Sequence, residues 1–442
     1  MQLRSDADRQ IVAIAVPAFF ALVTEPLMLL ADTAIIGHLG TPELGGLAAA
    51  SVVLGTVVGL CIFLAYGSTA SVARHHGAGD ARTAFGLAIS SLWLAAAPGV
   101  VLGSLVAAGS GVLSDAMSSS VDVAMHAQQY LLVSALGIPA MLLILAATGA
   151  LRGVLDLRTP LAATIVANLV NVGLNLTLVN GFGLGVRGAA AGTVIAQWLA
   201  AAWLVAVVVR RARPAHAVIS PRVREILAAA AQGVPLIVRT LTLRVAVVLA
   251  ALVAAGLGDV QLAAHQVAAT LVSLLAFALD AVAIAGQTLT GRTLGAGDAL
   301  GTRALTRRMI AWGLVTGLVA AAALAALSPW LPHLFTSDAR VQDALVPALL
   351  VVAAVQPLSG VVFVLVGVLI GAGVGVLNSG ELTYTITGSP AAVNTTLASV
   401  TYDSAANFSG TASVTIAVTD GANGPQGTNP TGTVSITVNS VN

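Results

Sequence analysis

Two stretches decide how this chain reads: Arg74-His75-His76-Gly77-Ala78-Gly79-Asp80 and Arg292-Thr293-Leu294-Gly295-Ala296-Gly297-Asp298. They share Arg-x-x-Gly-Ala-Gly-Asp and stand 218 residues apart. The same shift lays Pro17 on Pro235, Leu39-Gly40 on Leu257-Gly258 and Leu44 on Leu262. Chance matches of Leu and Ala between apolar helices are common. A polar loop motif in phase with a proline and a Leu-Gly pair points to an internal repeat.

The rest of the sequence says what is repeated. The chain has 442 residues, 57% hydrophobic and 8% charged, with mean hydropathy +0.96. Water-exposed surface needs more charge than this, whereas lipid tolerates it. A membrane helix needs about 20 mostly apolar residues. Ten such runs are read, at 11–36, 46–70, 84–108, 126–148, 160–181, 187–209, 226–256, 262–289, 309–330 and 343–373. Thr159-Pro160 and Ser220-Pro221 read as N-caps followed by proline at the first helical position. The 218-residue offset spans six helices, an even number, so both copies share one orientation. The expected fold is an all-α polytopic bundle of two parallel six-helix repeats, the second incomplete.

All 19 basic residues are Arg. With the N-terminus in the cytoplasm, 15 of them fall on the inner side, only Arg187 and Arg340 fall outside, and Arg239 and Arg244 lie within a span. The positive-inside rule selects that topology. No cleavable signal peptide is read at the start. Residues 1–215 form the expected first lobe and 216–373 the second, with about four helices. Residues 374–442 change character: Arg is absent, and Ser413–Thr419 and Thr433–Val438 alternate with period two. They are expected to form a small β-sandwich-like segment.

Net charge +1 argues against nucleic acid as a partner, and the single Cys61 supplies neither a disulfide nor a thiolate metal site. No phosphate loop or hydrolytic triad is read, so no enzymatic activity is expected. The informative residues are ionisable groups inside spans, which are costly there and usually functional. Glu25 and Asp32 lie seven residues apart on one face of the first span. A carboxylate pair there suits reversible binding of H⁺ or Na⁺; a hydrated Asp32 at the span's outer end is the alternative. Asn168, Asn171 and Asn175 share one face of the fifth span, as cation ligands or as interhelical hydrogen-bonding groups. Arg239 and Arg244 lie in the seventh span, with His265, Asp280 and Gln287 in the eighth. One of the two arginines is expected to pair with Asp280 or with a first-span carboxylate, and His265 reads as a hydrated boundary residue. At the repeat offset, Glu25, Asp32, Arg239 and Asp280 meet Leu243, Ala250, Ala21 and Ile62. A symmetric scaffold with asymmetric charges suits a transporter.

Together, Asp32-Thr33-Ala34-Ile35-Ile36-Gly37-His38-Leu39-Gly40, Asn168-Leu169-Val170-Asn171, Leu279-Asp280-Ala281 and the Leu-Gly-Ala-Gly-Asp ending at Asp298 resemble the multidrug and toxin extrusion (MATE) family, in its DinF-like branch. The resemblance covers about residues 5–373. It implies a two-lobed, twelve-helix antiporter that exports cationic or amphipathic, drug-like organic molecules in exchange for H⁺ or Na⁺. It implies Asp32 as the first-helix acid of cation coupling and Asn171 as a polar position of the same lobe; with Glu25 and Asn175, read from their placement in the spans, these make up the candidate cation-coupling set, and Arg239, Arg244, Asp280 and Gln287 the second-lobe polar and charge cluster. No cofactor is implied beyond the coupling ion, and Na⁺ at Asp32 is the one metal reading left open. A monomer in the bilayer of a bacterial plasma membrane is expected. The chain departs from the family at Asn175, where many relatives carry Asp. It departs again at Leu365-Val366-Gly367, where the branch often reads Leu-Asp-Gly, and in helices eleven and twelve. The tail, at Tyr402-Asp403, Asn407-Phe408-Ser409-Gly410 and Asp420-Gly421, resembles cadherin-like or Ig-like adhesin repeats. This suggests a truncated transporter joined to a foreign fragment near 373–378. The alternatives are a flippase of lipid-linked precursors and a non-transporting, membrane-anchored adhesin-like protein.

Overall fold

The computed structural model describes residues 2–118, 120–336, 338–373, 410–417 and 431–438. Helical segments run α1 Gln2–Gly37, α2 Thr41–Leu60, α3 Phe63–Gly77, α4 Ala81–Met117, α5 Val121–Ser134, α6 Ile138–Gly153, α7 Arg158–Asn175, α8 Gly185–Ala212, α9 Val223–Leu257, α10 Asp259–Gly295, α11 Ala299–Leu327, α12 Leu331–Phe335 and α13 Ala339–Ala372. They supply ten stretches long and apolar enough to cross a membrane. The second joins α2 to α3 through a turn at Cys61-Ile62, and the fourth joins α5 to α6 through a 3₁₀ turn ahead of Pro139. The fifth ends in a π-helical turn, Leu176–Gly181.

The repeated motif ends one helix and starts the next. Gly79 and Gly297 take φ of 79° and 73°, left-handed values that cost glycine little. The following Asp caps the new helix: Asp80 Oδ1 accepts from the Thr83 N–H at 2.9 Å, and Asp298 Oδ1 from the Gly301 N–H at 2.7 Å. Hydrogen bonding from the Thr83 hydroxyl, and then from its N–H, holds the exposed Asp80 carboxyl below the usual carboxylate range. Where the sequence suggested other caps, the structure differs. Asp156 rather than Thr159 caps α7, accepting from the Thr159 N–H at 3.0 Å. Burial alone would raise the Asp156 carboxyl, but hydrogen bonds from Thr159 and Arg211 outweigh it and hold it low. The helix expected to begin at Ser220-Pro221 starts at Val223 instead.

Glycines carry the repeat into the packing. A Cβ on Gly99 would meet Pro139, and one on Gly317 would meet Pro357, 218 residues along. Gly149 lies on Ala65 as Gly367 lies on Ala283. In each pair two helix backbones approach more closely than any larger residue allows. The most telling contact runs between the two copies. Gly77 lies against the Arg292 carbonyl, and Gly295 lies against the Arg74 carbonyl. This reciprocal contact is what an approximate two-fold axis between α3 and α10 requires. Beside it, Arg74 Nη2 donates to the Ala372 carbonyl at the end of α13.

Two helices cross between the halves. Ile11, Ile14 and Ala18 of α1 share a core with α10, α11 and α13, and Arg308 and Trp312 of α11 hydrogen-bond Asp8. The far end of α1 packs instead on α7, where Asn168 Nδ2 donates to the Thr24 carbonyl at 2.9 Å. Its repeat partner α9 does the converse. Gly233 lies on Phe63, Leu236 shares a core with Ala70, and Trp93 donates to the Ile219 carbonyl just before α9. Pro17 and Pro235 stand at equivalent positions inside these two helices.

Residues 380–442 form a separate unit. Its described part is one antiparallel ladder, β1 Gly410–Ala417 with β2 Thr431–Val438, Gly410 opposite Val438. A β-sandwich needs two packed sheets. One pair of strands does not make one, so the expected β-sandwich-like and adhesin-like segment has no support, and residues 402, 403, 407–409, 420 and 421 lie outside the described residues.

Two paired outcomes test the repeat. Gly77→Val and Gly295→Val each drive a side chain into a carbonyl and should destabilise by about 1–3 kcal/mol, to the same extent, in thermal unfolding in detergent. Asp80→Ala and Asp298→Ala should each cost about 1 kcal/mol through the lost cap. A large effect in one copy beside none in the other would remove the equivalence.

Candidate functional site

The far half of α1 carries Asp32 into the space between α5, α7 and α8. Asn171 and Asn175 stand one turn apart on α7 and face it, as the spacing of four predicted. Asn175 Nδ2 donates to Asp32 Oδ1 at 2.7 Å and reaches Asn171 Oδ1 at 3.4 Å. Asn171 Nδ2 donates to the Thr193 hydroxyl at 2.8 Å, and that hydroxyl donates to the Ala189 carbonyl. Thr193 also lies beside the Asp32 carboxylate, and the Tyr130 hydroxyl lies beside Thr193. Asp32 is 2% exposed and both asparagines are fully buried, so the hydrated reading of Asp32 is overturned.

Local structure builds this pocket. The π-helical turn begins immediately after Asn175, and such turns re-aim side chains at functional positions. Gly192 has no side chain, and Asn175 Oδ1 occupies the space a Cβ there would need. That oxygen is buried with no hydrogen-bond partner. Among the described residues no basic side chain pairs with Asp32. The site therefore presents a buried carboxylate, an unused amide oxygen, a second amide oxygen and a hydroxyl, all hard oxygen donors.

Asn168, the third of the series, binds the α1 backbone and is interhelical in role. Glu25 lies on α1, but its side chain falls outside the described residues. Thr193 and Tyr130 were missed by the sequence reading. A lone Thr in an Ala-rich span and a lone Tyr carry no spacing that ties them to another helix.

A second cluster lies between α3 and α10. The Tyr66 hydroxyl points at the Asp280 carboxylate, 3.4 and 3.5 Å from its two oxygens. Gln287 Nε2, two turns along α10 from Asp280, donates to the Tyr66 carbonyl at 2.6 Å. The shared face expected for Asp280 and Gln287 is thus turned to a single residue. Arg239 and Arg152 both act on the Asp280 charge. Arg152 had been assigned to the loop side, but its long side chain reaches back into the bundle. Arg244 joins neither carboxylate. Its guanidinium lies against Gly59 of α2, on the opposite half. Asp32 and Asp280 belong to separate clusters, and His265 is half-buried on α10.

The comparisons agree with this architecture. The MatE family model matches residues 17–177 and again 235–377, beginning at the two repeat-related prolines. Protein DETOXIFICATION 44, chloroplastic, of Arabidopsis thaliana is 34% identical over 204 residues, which is 43% of this chain and 39% of that protein. DNA damage-inducible protein F of Escherichia coli (strain K12) is 32% identical over 199 residues, 45% of this chain and 43% of that protein. The chain thus matches less than half the length of these curated relatives. Among solved structures, the Vibrio cholerae MATE transporter VcmN in the bent form has TM-score 0.78 at 20% identity, covering 85% of this chain and 86% of that one. The family match, the ten membrane helices and the duplicated bundle lead to one assignment: this chain belongs to the MATE family of multi-pass membrane transporters.

Proposed function

We propose that the protein is a secondary active antiporter exporting cationic or amphipathic organic molecules in exchange for H⁺ or Na⁺ bound at Asp32. The observation that carries this is a carboxylate 2% exposed, inside a membrane span, with no basic partner among the described residues. An ionised carboxylate cannot remain so in a low-dielectric interior. It takes a proton, or it takes a metal cation that the unused Asn175 Oδ1 helps to hold. Either way, occupancy changes the charge of the site by one unit.

The crossing of α1 supplies the coupling. One helix carries Asp32 at one end and packs on α10, α11 and α13 at the other. A change in how α1 seats against Asn175 and Thr193 is transmitted to the second half of the bundle through a proline-containing helix. Cation and cargo then favour different arrangements of the two lobes, residues 1–215 and 216–373, which is the thermodynamic requirement for exchange. Arginine placement supports an orientation with the Gly-Ala-Gly-Asp loops on the cytoplasmic side of a bacterial plasma membrane.

Asp32→Asn should abolish gradient-driven efflux of ethidium from proteoliposomes, by at least tenfold, while the protein still inserts and melts cooperatively; retained efflux would falsify the assignment. Gly192→Ala displaces Asn175 Oδ1 and should lower the apparent cation affinity severalfold, read as a shift of efflux against pH or Na⁺ concentration. Imposing a pH gradient and a Na⁺ gradient separately identifies the coupling ion.

A further inference from the structure

We propose that the cavity between α1, the α6–α7 turn and the end of α8 binds the phosphate headgroup of an anionic phospholipid, with Arg158 as its partner. The proposal rests on the membrane assignment and not on the exchange mechanism.

The cavity has a volume of about 530 Å³ and is lined by Ala13 of α1, residues 154–159 and Arg211 of α8. Small-ligand sites span about 300–1,000 Å³. One wall is a rigid turn. Leu155 takes φ 63°, the left-handed region, where a side chain is strained; its repeat counterpart is Gly373, at φ 77°. The Leu155 and Asp156 N–H groups donate to the Arg152 and Leu151 carbonyls, both at 2.9 Å. Leu155 also packs on the core that holds Ile11 and Ile14. Strain of this kind persists only where the surroundings enforce it, and it is found at ligand sites.

The polar groups of the cavity are unevenly satisfied. Asp156 accepts from the Thr159 N–H at 3.0 Å and from the Thr159 hydroxyl at 2.7 Å, and it pairs with Arg211. Arg158 lines the same cavity and, among the described residues, makes no hydrogen bond or ion pair. The described lining thus carries two guanidinium groups and one carboxylate, and Arg158 is the charge left over. A phosphodiester monoanion balances it. The planar fork of a guanidinium matches two phosphate oxygens.

The surroundings favour a lipid over free phosphate. Two helix faces lead away from the cavity. On α1, Arg9, Ala13, Val16 and Phe20 recur at helical spacing and all are exposed. On α7, Arg158, Ala162, Ile165 and Leu169 do the same. Each face sets an arginine near the end of a span and exposed apolar groups along it. A phospholipid meets both features at once, its headgroup at the basic end and its acyl chains on the apolar length. Inorganic phosphate would use the basic end alone. Basic pockets between helices at the cytoplasmic boundary are suited to anionic headgroups.

The test incubates the full-length protein in detergent with phosphatidylglycerol or phosphatidylcholine of matched acyl chains and counts retained lipid by native mass spectrometry. Phosphatidylglycerol should be retained at least tenfold more than phosphatidylcholine. Arg158→Gln should reduce that preference at least fivefold, and Arg158→Lys should restore part of it. Arg303→Gln, which alters another exposed arginine at the same end but outside the cavity, should leave it unchanged. Excess inorganic phosphate should not displace the lipid. In proteoliposomes of the unaltered protein, phosphatidylglycerol with a diazirine in its acyl chain should label residues 9–20 and 158–169 above all other helices, which keeps the test decisive if a variant fails to fold. Equal retention of the two lipids, a preference indifferent to Arg158→Gln, or label spread evenly over the helices overturns the proposal. Displacement by inorganic phosphate overturns it as well, because the site would then take a free anion.

Discussion

The two halves of this protein meet where a side chain will not fit. At Gly77 against the Arg292 carbonyl and at Gly295 against the Arg74 carbonyl, two helix backbones touch across an approximate two-fold axis. Between apolar helices in lipid there is no hydrophobic drive to associate, because lipid tails are as apolar as leucine. Close backbone approach, with its dispersion gain and exclusion of lipid, must do that work. On the same two helices, α3 and α10, the Tyr66 hydroxyl meets the Asp280 carboxylate.

The second governing constraint is the cost of charge in hydrocarbon. Each buried ionisable group here has a distinct answer to it. Asp280 is surrounded by a hydroxyl and two guanidinium groups and is compensated internally. Asp32 has only amide and hydroxyl neighbours among the described residues. Asp32 and Asp280 lie in separate clusters, and neither obeys the repeat.

Much of the fold was legible beforehand. Hydropathy located all ten spans because lipid demands continuous apolar length, and the Gly-Ala-Gly-Asp motif located the repeat because a left-handed turn and a helix cap need particular residues. The glycine matches Gly99 with Gly317 and Gly149 with Gly367 were equally available in the sequence, but they had meaning only once their partner helices were known. The Asp32–Asn171–Asn175 grouping was half legible. Spacing of four put the asparagines on one face, and nothing in the linear order tied that face to α1, or Thr193 and Tyr130 to either. In the tail, period-two alternation located the two described strands, but it does not say how many sheets they build, and the sandwich reading has no support.

The sequence by itself determined which solvent this chain folds in, where the ten membrane-length helices of the described residues lie, and that its two halves share a plan. Those follow from composition and local geometry, which act over one helix at a time. Tertiary structure alone decided that α1 and α9 cross between the halves, that Asp32 is unpaired while Asp280 is not, and that Arg152 reaches inward from a helix end. Each of these depends on which helix faces which. In a bilayer that choice is made by backbone fit at a few glycines, between residues distant in the chain.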